Sequence, residues 1–332
     1  MSPERTERSL NPQDLVDRAR SGDPRAVARL VSLVEDGSPA LREVMALLAP
    51  LCGGDSGAYI VGLTGSPGVG KSTTTSALVT EYRARGKRVG VLAVDPSSPF
   101  SGGALLGDRV RMQEHATDPG VYIRSMASRG HLGGLSATAS QALRVLDAAG
   151  CDVVLLETVG VGQSEIEVAS AADTTVVLLA PGMGDGIQAA KAGILEIGDV
   201  FVVNKADRDG ADATAREVNH MLALGERRGP GDWRPPIVKT VAARAEGISE
   251  VVEALEKHRA WLAETGNLAV RRRARAAAEI EAIAFAALRS RFGSVHGDSR
   301  LADLAGAVAE GELDPFTAAD RLLEEVPART GE

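Results

Sequence analysis

The run Tyr59-Ile60-Val61-Gly62-Leu63-Thr64-Gly65-Ser66-Pro67-Gly68-Val69-Gly70-Lys71-Ser72-Thr73-Thr74 begins as a strand, turns through glycines and leads into a helical pattern over 72–85. Residues 65–72 fit G-x-x-x-x-G-K-[ST], and the strand-to-helix context is the one that motif requires. The glycines let backbone N–H groups curl around a β-phosphate, and the positive end of the helix faces the anion. Lys71 reaches the β- and γ-oxygens, and the Ser72 hydroxyl can ligate Mg²⁺. Gly65, Ser66, Pro67, Gly68, Val69, Gly70, Lys71, Ser72 and Thr73 therefore form the candidate phosphate site. A plain glycine turn would leave the Lys-Ser pair unexplained.

Outward from this run, short apolar stretches recur at Arg88–Val94, Val121–Ser125, Val153–Glu157, Thr174–Leu179, Val200–Asn204 and Ile237–Val241. They are nearly continuous in apolar residues, as strands buried on both faces are, and helical patterns at 135–149 and 211–227 fall between them. The fold class this predicts is α/β, a mainly parallel sheet with helices on both faces. Before it, apolar residues at helical spacing from Asn11 to Leu51, with Asp23-Pro24 and Ser38-Pro39 as cap and first-turn proline, predict a helical extension. After Ile248 only helical patterns remain. The expected domains are 1–56 (helical extension), 57–258 (nucleotide-binding domain) and 259–332 (helical arm).

A phosphate cradle does not choose a base. Asn204-Lys205-Ala206-Asp207, at the end of a predicted strand, does: the Asp carboxylate can accept from guanine N1–H and N2–H₂, a donor pair adenine lacks. Ala242, Ala243 and Arg244 are placed to offer a backbone N–H to guanine O6. GTP is thus expected over ATP. For the metal, Asp95 and Glu157 end predicted strands and Asp108 lies in a glycine-rich loop; with Ser72 they are the candidate Mg²⁺ ligands. Glu157 is longer than Asp, so direct ligation and contact through water both stand. In Glu157-Thr158-Val159-Gly160, the Gly160 N–H is placed to sense a γ-phosphate. Gln163 reads either as a group positioning water or as the start of helix 163–171. Lys191 reads either as a charge for the transition state or as an exposed lysine.

Composition removes other classes. A net charge of −8 and an aromatic content of 3% argue against nucleic-acid binding, which needs excess cations or stacking faces. No apolar run approaches the ~20 residues of a membrane helix. Cys52 and Cys151 are isolated, with no secretory leader pattern, which points to packing residues in a reducing cytoplasm. The five histidines are scattered, giving no transition-metal pattern. Arg271, Arg272, Arg273 and Arg275 read as a solvated helix face, because Glu279 and Glu281 follow at once.

Together, Val94-Asp95-Pro96-Ser97-Ser98-Pro99, the loop Gly102–Met112 and Glu157-Thr158-Val159-Gly160-Val161-Gly162-Gln163-Ser164-Glu165 resemble the methylmalonyl-CoA mutase-associated GTPases, the MeaB/ArgK type within the SIMIBI class of P-loop proteins. The resemblance covers roughly 10–330. It implies a Mg²⁺-dependent GTPase, binding GTP and GDP, that gates adenosylcobalamin loading onto methylmalonyl-CoA mutase and protects that enzyme. It also implies homodimerisation through the C-terminal helices. Asp95, Asp108 and Glu157 would surround Mg²⁺, with switch segments near Asp108, at 158–165 and at 181–191. Ala242 stands where relatives often have Ser, a small departure because the contact there is from the backbone. The competing expectations are a kinase using the same cradle, a chaperone of a related acyl-CoA mutase or nickel enzyme, and a scaffold that does not hydrolyse.

Overall fold

Strands whose side chains are apolar on both alternating faces must be covered from both sides, and this sheet is. In the computed structural model, which describes residues 11–54, 57–96, 112–128, 134–158, 164–182, 194–224, 229, 231–292 and 299–324, seven strands form. They are β1 (Tyr59–Thr64), β2 (Val89–Pro96), β3 (Val121–Ser128), β4 (Val153–Thr158), β5 (Thr174–Leu179), β6 (Val200–Val203) and β7 (Ile237–Lys239). All pair in parallel in the order β3-β2-β4-β1-β5-β6-β7. The central strand β1 is therefore flanked by β4 and β5, and its C-terminal end faces the crevice where open α/β sheets bind ligands.

Twelve α-helices are found among the described residues: α1 (Pro12–Arg20), α2 (Pro24–Glu35), α3 (Leu41–Leu48), α4 (Lys71–Ala84), α5 (Gly134–Ala148), α6 (Ser164–Ala171), α7 (Ile194–Ile197), α8 (Ala211–Leu224), α9 (Ile248–Glu264), α10 (Asn267–Phe292), α11 (Ser299–Ala309) and α12 (Pro315–Glu324). Contacts divide the chain into two units, Met1–Ala276 and Ala277–Glu332. In the first, α1, α2, α3, α5 and α6 cover one sheet face, where Leu30, Val44, Leu146 and Val168 pack with Leu92 and Val154. On the other face Leu78 of α4 and Leu255 of α9 pack with Val91 and Leu155, the alternate residues of the same strands. The helical extension is thus part of the sheet's cover. In the second unit α11 and α12 pack together, and α12 opens on Asp314, whose carboxylate accepts the Phe316 and Thr317 N–H groups at 2.9 and 3.1 Å.

Local signals behave as their chemistry dictates, with one shift. Asp23 caps α2 through the Arg25 N–H at 2.8 Å, and Pro24 sits in its first turn. Ser38-Pro39 instead forms the turn before α3: Ser38 Oγ accepts the Ala40 N–H at 3.3 Å and the helix starts at Leu41. No described helix is long and apolar enough to cross a membrane.

Candidate functional site

Between β1 and α4 the chain turns through residues 65–70, and two glycines there are required by geometry. Gly65 has φ +142 and a Cβ on it would lie 2.3 Å from Leu178 O of β5. Gly70 has φ +98 and its Cβ would lie 2.4 Å from Asn204 Nδ2. Side chains are excluded because neighbouring strands close on the loop. At its exit, Lys71 Nζ donates to Gly65 O at 2.6 Å and to Ser66 O at 3.2 Å, so the ammonium lies folded over the loop it would share with a phosphate. Lys71 and Ser72 are 8% and 7% exposed, whereas Thr73 is exposed.

Glu157, 1% exposed, comes from the next strand, in register with Leu63 of β1. It accepts the Ser72 hydroxyl at 2.6 Å on Oε1 and the Thr75 hydroxyl at 2.8 Å on Oε2. The hydroxyl and the carboxylate of the expected metal set thus meet directly. Thr75, one helical turn after Lys71, was not singled out in the sequence; its only sequence signal is its place in the Thr73-Thr74-Thr75 run. A further link runs from α4 to the segment beyond residue 111: the Ser76 hydroxyl donates to Glu114, with His115 Nε2 3.0 Å away, and Arg83 grips Asp118 at 2.9 and 3.0 Å.

At the end expected to meet the base, Asn204 and Lys205 fasten two turns to the loop. Asn204 Nδ2 donates to Val69 O at 2.8 Å, and its Oδ1 accepts Thr240 Oγ1 and the Ala242 N–H, each at 3.1 Å. Lys205, with φ 58, sends Nζ to Gly68 O at 2.6 Å. Two loop carbonyls are thereby engaged from outside. In the 242–244 turn, Ala242 N–H is taken by Asn204 and Arg244 N–H by Val241 O at 2.8 Å, so the expectation of an amide for guanine O6 narrows to Ala243. Asp207 is exposed and meets Arg244 Nη1 at 3.4 Å.

Other expected residues are placed differently. Asp95 lies on β2 in register with Ala127, and its side chain is outside the described residues, as are Asp108, Gly160, Gln163 and Lys191 altogether. The arginines are a correction: Arg271, Arg272 and Arg275 do not form a solvated face. Arg272 and Arg275, with side chains 18% and 16% exposed, reach the fully buried Asp173 at 3.2 and 3.1 Å, and Arg271 pairs with Asp199 at 2.7 Å. Both aspartates immediately precede buried strands, β5 and β6, on the sheet end opposite the phosphate loop. Asp173 also accepts the Ile60 N–H at 3.0 Å and Asp199 the Thr175 N–H at 2.9 Å. A carboxylate before each of two buried strands was the sequence signal that could have found this cluster.

Beside it lies His258, which is buried; Thr174 Oγ1 sits 2.8 Å from Nδ1 and Asp199 Oδ1 3.4 Å from Nε2. The Nε2–H tautomer suits both neighbours. Burial, and then Arg271, hold its pKa down at about 4 against the pull of Asp199. Cys151 is buried and its thiol pushed up to about 12 by burial, so it packs and does not react at neutral pH.

Comparison with known proteins gives this geometry a family. The family model described as "Methylmalonyl Co-A mutase-associated GTPase MeaB" matches residues 27–296. A putative GTPase of Pyrococcus abyssi is 47% identical over 314 residues, 94% of this chain and 96% of its own. The mitochondrial methylmalonic aciduria type A homolog of Caenorhabditis elegans is 38% identical over 79% of this chain and 69% of its own. A solved structure described as LAO/AO transport system kinase is 29% identical with a TM-score of 0.71, covering 95% of this chain and 98% of that one. The chain, a guanine-nucleotide-binding GTPase, belongs to the methylmalonyl-CoA mutase-associated GTPase family.

Proposed function

We propose that this GTPase is a chaperone of methylmalonyl-CoA mutase which couples GTP hydrolysis to loading and protection of that enzyme's adenosylcobalamin. One observation carries the nucleotide half: Asn204 and Lys205, on the guanine side, are bonded directly to the carbonyls of Val69 and Gly68 on the phosphate side. Base and phosphates are thus read by one connected frame. The mutase half rests on the family's description and on the relative named for methylmalonic aciduria.

In this reading the backbone N–H groups between Gly65 and Thr73, other than at Pro67, which has none, hold the phosphates, and Lys71 swings from Gly65 O to the β- and γ-oxygens. Asp207 accepts from guanine N1–H and N2–H₂ while the Ala243 N–H faces O6. Ser72, Asp95, Asp108 and Glu157 hold Mg²⁺; a hydroxyl and a carboxylate already 2.6 Å apart are the hard oxygen donors that ion takes. Bound there, the ion neutralises charge on the phosphate oxygens. Gly160 donates to the γ-phosphate and Lys191 adds a positive charge as water displaces GDP from it. Segment 259–332 is the dimer arm; Ile280, Phe285 and Leu288 on α10 are 68%, 53% and 45% exposed, an apolar set suited to a second copy. A reducing cytoplasm suits the two free thiols.

The test is co-purification with methylmalonyl-CoA mutase, and with a related acyl-CoA mutase, in GDP and in a non-hydrolysable GTP analogue. A nucleotide-dependent complex and mutase-stimulated phosphate release support the proposal; turnover unchanged by saturating mutase contradicts it. A phosphotransfer reading is favoured by the solved structure described as a transport system kinase. It requires γ-label to appear on an acceptor instead of as free phosphate.

A further inference from the structure

We infer that the Arg244 side chain is a positioning residue for base recognition: anchored on Glu246, it holds the Asp207 carboxylate in the orientation that reads guanine. This rests on the role proposed above for Asp207. An exposed aspartate on a turn rotates freely, yet accepting two parallel hydrogen bonds from one base edge demands a single rotamer. Asp207 lies on such a turn, after Lys205 in the left-handed region, with its side chain 40% exposed. Its hydrogen-bond partner among the described residues is Arg244 Nη1, at 3.4 Å from Oδ2.

Arg244 is itself fixed. Its Nε donates to Glu246 Oε1 at 2.7 Å and its Nη2 to Oε2 at 3.3 Å, a fork on a fork that sets the plane of the guanidinium. Glu246 belongs to the same tight turn, closed by an antiparallel bridge from Val241, with Val241 N–H on Glu246 O at 3.0 Å and Ala245 at φ 56. With two nitrogens spent on Glu246, Nη1 is the corner that points to Asp207. The Asp207 turn is tied to the same frame by the Ala206 N–H on Thr240 O at 3.0 Å. Each carboxylate oxygen accepts more than one bond, so Nη1 on Oδ2 leaves acceptor capacity for the base. An exposed pair of this kind contributes little to stability. Its consequence is orientation.

The exocyclic amine distinguishes GDP from IDP, whose base lacks it, so loss of orientation should cost GDP more than IDP. The experiment measures affinities of GDP, IDP and ADP with Mg²⁺ for the wild type, Arg244→Ala, Arg244→Lys and Glu246→Ala. Arg244→Ala is expected to weaken GDP about 3- to 10-fold, the scale of freeing one rotamer-rich group, and IDP less than about twofold. The GDP-to-IDP ratio then shrinks while thermal stability is retained. Glu246→Ala moves the ratio the same way by less, and Arg244→Lys, which keeps the charge without the fork, restores part of it. An unchanged or larger ratio in Arg244→Ala overturns the inference. A merely structural turn defect also overturns it, and would weaken GDP and IDP equally. Failure of the underlying reading has a separate signature, a wild type that does not prefer GDP to ADP.

Discussion

Replacing Asp173 by alanine tests the account of how the sheet is held on the side away from the nucleotide. Asp173 is fully buried and accepts from Arg272, Arg275 and the Ile60 N–H; the two guanidiniums are themselves 18% and 16% exposed. Removing it leaves two cations facing each other with little water and strips the Ile60 N–H of its acceptor. Contacts of Arg272 with Ala58 O at 3.1 Å and of Arg275 with Ala171 O at 2.9 Å survive but carry no compensating charge. Breaking a buried pair from one side costs about 3–5 kcal/mol. At about 2–4 °C per kcal/mol for a domain of this size, the midpoint should fall by roughly 6–20 °C. Thermal unfolding followed by far-UV circular dichroism reads this directly. The triple variant Asp173→Leu, Arg272→Met, Arg275→Met should recover most of the loss, because it removes the charges together. A fall of less than about 0.5 kcal/mol for Asp173→Ala, the ordinary size of a surface substitution, would refute the clamp.

Three further outcomes follow from single contacts. His258 is held neutral by burial, with its pKa near 4 against 6.5 for an ordinary histidine, so the unfolded chain takes up a proton first as pH falls. The stability contribution is whole above about pH 6.5 and is lost progressively down to about pH 4, on the order of 3 kcal/mol in total. Denaturant midpoints against pH should therefore be flatter in His258→Gln across that window, and an equal slope contradicts this. Gly70→Ala drives a Cβ onto Asn204 Nδ2 at a positive φ, costing about 1–3 kcal/mol of local strain, so GDP affinity by calorimetry should fall by up to about 5- to 150-fold; undiminished binding would show that the loop tolerates a side chain. Lys71→Ala should slow phosphate release on the order of 100-fold or more, and turnover near the wild-type rate would remove Lys71 from the mechanism.

Much of the fold was legible because burial leaves a signature in single strands. β1, β5 and β6 are buried at every position and read as nearly continuous apolar runs, broken only by threonines at the ends of β1 and β5, and the helix caps at Asp23 and Asp314 are local chemistry. Strand order was not legible, since nothing in β1 says that β4 and β5 lie beside it. The arginine cluster failed for the same reason. Glu279 and Glu281 stand next to it in the chain, whereas its partners Asp173 and Asp199 lie 98 and 72 positions from Arg271. The phosphate loop, with its strand, glycines and Lys-Ser pair, is one continuous segment and could be read whole. Thr75, which shares Glu157 with Ser72, depends on helical phase and on a strand 82 residues away, and could not.

In the proposed mode of binding, Asp207 reads guanine above a cradle built from residues 65–72. Asparagine at 207 would accept from N1–H and donate to a carbonyl, a pattern that matches xanthine and mismatches guanine. Phosphate release from GTP and xanthosine triphosphate should therefore be compared for the wild type and Asp207→Asn. The wild type should prefer GTP, and the variant should reverse this preference while keeping measurable turnover. If Asp207→Asn retains the wild-type preference for GTP, the base is read elsewhere and the account is wrong.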